Sequence, residues 1–262
     1  MDWTDSRCLG SLSANDAERI IRFLGYGRPA APIWFIGLEE GLSSLAPSDL
    51  THNLKARGAW DEFMDLDRAC LSLIHGGEPI RISIRPPGTP TWRWMAKISL
   101  ALAGNFCWED ARVANKAVQD YVRGRLGRAD PTVGDTFLTE LSPIPSKNLA
   151  ANKEWLRYFR SIMPDCDRLI EQRLKKLKNL LQQSRPKFVF CYGTESQKYN
   201  LRFKDFFSED LWVRVGSKSE LSTSGGYIKV LMPFFGHGRI SNAECRTVVT
   251  QICTPAHAGP EG

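Results

Sequence analysis

No apolar run in this chain approaches the ~18 residues that a bilayer-spanning helix needs. The opening stretch MDWTDSRCLG also has no signal-peptide core. Both absences lead us to expect a cytoplasmic protein with no membrane partner. The seven cysteines, Cys8, Cys70, Cys107, Cys166, Cys191, Cys245 and Cys253, are scattered and form no C-x-x-C pair. Neither a disulfide framework nor a cysteine metal cluster is suggested, and the thiols are expected to be reduced and mostly buried. Repeats and low-complexity segments are missing as well. So are a glycine-rich dinucleotide fingerprint, a P-loop lysine and an H-E-x-x-H spacing. No nucleotide cofactor and no metal are therefore expected.

What is present reads as an ordinary globular protein. The chain has 262 residues, 42% of them hydrophobic and 24% charged, enough to bury a substantial core. The net charge of +6 and pI near 9.0 suit a polyanionic partner without requiring one. In RLIEQRLKKLKNLLQQ (168–183), Leu169, Ile170, Leu174, Leu177, Leu180 and Leu181 recur at helical spacing and should face the core. Arg173, Lys175, Lys176 and Lys178 are then expected on or beside the solvent face.

Helical and strand patterns alternate along the chain. NDAERIIRFLG opens with Asn15 as a candidate N-cap and Glu18 three residues on. Buried strands are expected at 32–37, 135–141, 187–193 and 227–235. Helices are expected at about 57–75, over WRWMAKISLALAG and DARVANKAVQDYVRGRL, and near 151–161, 165–183, 194–205 and 241–253. The proline- and glycine-rich stretch 76–91 reads as an excursion, not a domain break. A short LWVRV lies before the fourth strand. Strands with no polar alternation imply a sheet covered on both faces. The expectation is one monomeric α/β domain over 1–254, of three layers (α/β/α), with a central, mainly parallel four-stranded sheet and a flexible tail at 255–262.

Polar residues collect at the ends of these strands. IWFIGLEEG (33–41) runs from an apolar strand into Glu39 and Glu40, read as a tight turn. The second strand carries Glu140 just before SPIPSKN, and the fourth leads into PFFGHGRIS, with His237 between two glycines. In a parallel sheet these ends share one edge, where α/β proteins place their ligands.

The order and spacing of these segments resemble the uracil-DNA glycosylase superfamily, over roughly residues 30 to 253. GLEEG (37–41) is similar to the family's G-I-N-P-G turn. Glu39 takes the place of the Asp or Asn that handles water, and Glu40 stands where proline is usual. FLTELSPIPSKN (137–148) resembles the thermophilic branch's Y-I-T-N-x-V-K-C-x-P-P-x-N segment, with Glu140 at the base-reading Asn. LLQQSRPKFVFCYGTES resembles that branch's I-R-P-K-V-I-V-A-L-G strand, and VLMPFFGHGRIS resembles the H-P-S-P-L-S motif, with His237 at the histidine. The iron–sulfur cysteines of that branch have no counterparts here.

The resemblance implies a DNA glycosylase that flips a deaminated base, uracil or a purine such as hypoxanthine or xanthine, and hydrolyses its glycosidic bond. Glu39 would stabilise the sugar cation and orient water, and His237 would donate to the departing base. Glu140, Glu40, Trp92 and Trp94 would line the base pocket. Glu140, when ionised, accepts from a base N–H, and Trp60 and Phe63 are further aromatic candidates, each a core residue otherwise. Arg239 and Ile240 would supply the wedge and groove contact, with Ser142, Ser146 and Lys147 on phosphates. Two other readings stay open: a non-catalytic nucleic-acid-binding α/β domain, and a metal-dependent hydrolase using Glu39, Glu40, Glu140 and His237.

Overall fold

The computed structural model describes residues 12–41, 47–82, 90–106, 111–146, 149–194, 197–235 and 238–254. The four strands expected from the sequence form the middle of the sheet. They are β2 (Ile33–Gly41), β6 (Thr136–Ser146), β7 (Phe188–Tyr192) and β10 (Ile228–Met232). They pair in parallel in the spatial order β6-β2-β7-β10. Two edges extend this quartet. β1 (Gly25–Gly27) pairs antiparallel with β6 and is flanked by β3 (Phe63–Met64). On the other side, β9 (Ser219–Ser222) pairs antiparallel with β10, and β8 (Val213–Val215) with β9. The four-stranded, mainly parallel sheet is thus corrected to a mixed sheet of eight strands among the described residues. The added strands are two to four residues long, too short for periodicity to reveal. A separate hairpin joins β4 (Ile74–His75) to β5 (Glu78–Pro79).

Helices cover both faces. On one, Ile33, Phe35, Phe190 and Met232 pack with residues of α4 (Pro90–Leu102), α5 (Ala111–Gly124) and α9 (Asn242–Cys253). On the other, Trp34, Ile36, Val189 and Leu231 pack with α7 (Cys166–Ser184) and α8 (Gln197–Phe206). Consecutive residues of β2 thus go to opposite layers, as the period of two requires. A satellite core joins α1 (Ala14–Arg22), α2 (Pro47–Arg57) and α6 (Leu149–Ile162). Among the described residues no helix is long and apolar enough to cross a membrane.

Three local expectations are corrected. Helix α1 is capped by Ser13, not Asn15. The Ser13 hydroxyl accepts from the Asp16 amide at 3.1 Å and the Asp16 carboxylate accepts from the Ser13 amide at 3.0 Å, a reciprocal cap that fixes the start two residues earlier. The single helix expected at 57–75 is broken: α2 ends at Arg57, and α3 spans Leu66–Leu71 behind an Asp65 cap. Last, GLEEG is not a tight turn, because β2 runs on to Gly41 beside β6, with a register irregularity between Glu39 and Gly41. The strand β6 likewise continues through SPIPS. β1 pairs with it only at Phe137 and Leu138; beyond Leu138 no strand among the described residues pairs with that edge, and an edge without a ladder partner tolerates Pro143 and Pro145.

Candidate functional site

The carboxyl edge of the parallel quartet carries the candidate site. Where β1 leaves β6, a cavity of about 60 Å³ opens, walled by Phe23, Tyr26, Trp92, Ser142, Tyr192 and Arg173, with Glu140 among its lining. Glu140 pairs with Gly37 across β6 and β2. The Tyr192 hydroxyl donates to Glu140 Oε1 at 2.7 Å. Gly37 makes this row possible. A Cβ there would come within 1.8 Å of Glu140 Oε2 and 2.6 Å of the Tyr192 hydroxyl, so the missing side chain is the space that the pair occupies. Below them, Tyr192 stacks on Phe235 at 4.7 Å and 16°. That contact ties Phe235, at the end of the described stretch after β10, to the carboxylate's partner.

Arg173 closes the cavity from the α7 side. It is only 5% exposed, which overturns its expected place on the solvent face. Its Nε donates to the Phe23 carbonyl at 2.9 Å and its Nη1 to the Leu141 carbonyl at 3.2 Å, bridging the gap between β1 and β6. Desolvation draws its guanidinium down to about 10, and the nearby Glu140 charge works against that. It remains a cation at neutral pH, buried beside Glu140.

The aromatic candidates separate. Trp92 lines the cavity. Trp94, two residues on, is half-buried and carries the Lys97 ammonium 4.2 Å above its ring. It lies outside the cavity lining. Trp60 is core, with its indole N–H donating to the Ser72 hydroxyl at 2.9 Å. It supports Phe23 and Tyr26, whose rings lie 5.1 and 5.9 Å from it. Phe63 packs against Phe137 on the opposite layer.

The remaining candidates fall as follows. Glu39 and Glu40 have backbones in β2, with Glu39 paired to Ser142. Their side chains, and that of Ser146, lie outside the described residues, as do Lys147 and His237. Ser142 is half-buried and lines both this cavity and a larger groove of about 430 Å³ between β6, α7 and α8. Arg239 is exposed. Ile240 is 4% exposed within the main core, so its side chain packs inward and does not project as a wedge. Among the described residues no three His, Cys, Asp or Glu side chains are grouped to hold a metal ion.

Tyr192 and Arg173 were not singled out from the sequence. Tyr192 reads as one more apolar strand residue in KFVFCYG. Arg173 had a visible signal: Leu169, Arg173, Leu177 and Leu181 follow one another at intervals of four, on one stripe of the helix. Chemically, the cavity offers a fixed carboxylate acceptor, a phenol, a buried guanidinium and aromatic walls. That set suits a flat, polar ring bearing an N–H. Comparison with protein-family models, with curated proteins and with solved structures finds no match to the chain.

Proposed function

We propose that the chain is a DNA glycosylase that extrudes a deaminated base into the Glu140 cavity and hydrolyses its N-glycosidic bond. The observation that carries this reading is the Tyr192-held Glu140 carboxylate in an aromatic-walled cavity at the carboxyl edge of the sheet. In the reaction, the bond from the sugar C1′ to the base nitrogen breaks and the base leaves with the electron pair. A water oxygen then bonds to C1′, and its proton is released. Glu140 accepts from the base N–H, Trp92 covers one side of the ring, and Tyr192 keeps the carboxylate in place. Glu39, at the end of β2, stabilises the sugar cation and orients water, and His237 donates to the departing base. Ser142, Ser146, Lys147 and Arg239 belong to the backbone contacts of this reading.

The size of the cavity bears on the base. A volume of about 60 Å³ holds about four to six water-sized spheres, at ~10–15 Å³ each. Uracil, a single ring, comes nearer to that volume than the two fused rings of hypoxanthine or xanthine, so it is the favoured base. The test is a panel of oligonucleotides, each with one uracil, hypoxanthine or xanthine, assayed for alkali-labile abasic sites in the presence of chelator. Uracil should be cleaved fastest, and Glu39→Gln should slow single-turnover excision by about 100-fold or more. Uncleaved substrates throughout would leave a nucleic-acid-binding domain without catalysis. That second reading has one observation of its own: Glu140 and Tyr192 already fill the space above Gly37, as a structural network does.

A further inference from the structure

We infer that the turn between β8 and β9, with the first turns of α4 and α9, forms a basic track that binds the phosphodiester backbone of the DNA whose base enters the cavity. The location follows from the register. β9 runs antiparallel to β10, with Glu220 opposite Leu231, so the residues before it come level with the end of β10. The turn therefore lies at the same sheet edge as the cavity. Its cationic heads are gathered there by hydrogen bonds. Arg214 Nη1 donates to the Ser217 carbonyl at 3.4 Å, and Lys218 Nζ donates to the Arg239 carbonyl at 3.3 Å. Arg214, Lys218 and Arg239 are all exposed.

The acid beneath this turn is engaged by the turn's own amides and hydroxyls, not by the cationic heads. Glu244, in the first turn of α9, is 7% exposed. It accepts from the Ser217 and Lys218 amides and the Ser217 and Ser219 hydroxyls at 2.8–3.0 Å. It is turned inward and stiffens the turn, while the cations face out. Helix α4 continues the track towards the cavity. Lys97 Nζ donates to Asn242 Oδ1 at the start of α9 at 3.1 Å, Arg93 is exposed one turn earlier, and Trp92 beside it walls the cavity. Burial, and then the Arg93 guanidinium, pull the Lys97 ammonium below its ordinary value. A bound phosphate would relieve that repulsion. A strand with one charge per phosphate is the partner such a row fits, since backbone contacts position DNA without reading its sequence.

The identity of the partner rests on the glycosylase reading, but the test does not require excision. Affinity for a short undamaged duplex is measured by fluorescence anisotropy over a salt series. For Arg214→Ala/Lys218→Ala, the slope of log K against log salt should become shallower by about 2, at ~0.9 per phosphate contact, with roughly tenfold weaker binding. The equal charge change Lys175→Ala/Lys176→Ala, on α7, should leave the slope at its wild-type value. Thermal unfolding checks that both variants fold, and Lys218→Gln alone, expected to change the slope by about 1, serves if the double variant does not. A wild-type slope in the hairpin variant, equal effects from both pairs, or no binding by the wild-type chain would each overturn the inference. A hairpin-specific slope change with no excision of any base would keep the track and defeat the glycosylase reading.

Discussion

Glu140 and Glu244 are both largely withdrawn carboxylates near the same sheet edge, and they differ in what surrounds them. Glu244 is met by four donors from one turn. Desolvation pushes its carboxyl up, but the hydrogen bonds from Ser217, Ser219 and Lys218 outweigh that and hold it below the ordinary 4.5. Glu140 faces an open cavity, held by a phenol at 2.7 Å and accompanied by a buried guanidinium. A carboxylate saturated by local backbone and hydroxyl donors is an anchor. One positioned by side chains from other strands and helices, next to empty space, is placed to meet a ligand.

The largest contrast should come from removing each acid. Glu140→Ala should lower excision of uracil by about 100-fold, the scale of a lost hydrogen bond to a charged group in the transition state, while the thermal midpoint moves little. If stability falls instead and excision survives, the two carboxylates are of one kind and Glu140 is structural.

Gly37→Ala sharpens the same point without touching the acid. The new Cβ would stand 1.8 Å from Glu140 Oε2, so the carboxylate and Tyr192 must move. Excision should fall by about tenfold or more, with about 1–3 kcal/mol lost in stability, as overpacking costs. Normal excision in a folded Gly37→Ala protein would remove Glu140 from the base pocket.

The smallest effect belongs to Glu244→Gln, read by chemical denaturation across pH. A carboxyl whose folded value is depressed adds stability that is fully present above its unfolded value, near 4.5, and lost as pH falls through its folded value. At neutral pH the variant should be less stable by about 1–3 kcal/mol, and the gap should close below about pH 4.5. A pH-independent gap would mean that the lost geometry, not the charge, carries the effect.

Much of the scaffold was legible without coordinates. β2 and β6 open on largely apolar stretches, β7 and β10 are mostly apolar throughout, and α4, α5, α7 and α9 carry apolar stripes, so the sequence pattern located them. That Glu140 belongs to the second buried strand was legible too, although β6 runs on past it to Ser146 and does not end there. Arg173 shows where reading by residue type fails: its charge suggested solvent, while its interval of four from Leu169 and Leu177 put it on the buried stripe. Ile240 was misread in the opposite direction, as a projecting residue, though it lies in the core.

The sequence by itself determined the four central strands, their covering helices and the collection of acids at strand ends, because these follow from local periodicity and short-range order. Only the tertiary structure decided which of those acids faces a cavity. That depends on Gly37 lying beside Glu140, on Tyr192 arriving from a strand 52 residues later, and on β1 leaving β6 where Arg173 fills in. The apolar pattern of each strand limits its register, but which distant strands become neighbours, and so which side chains meet, is settled by packing across the whole sheet.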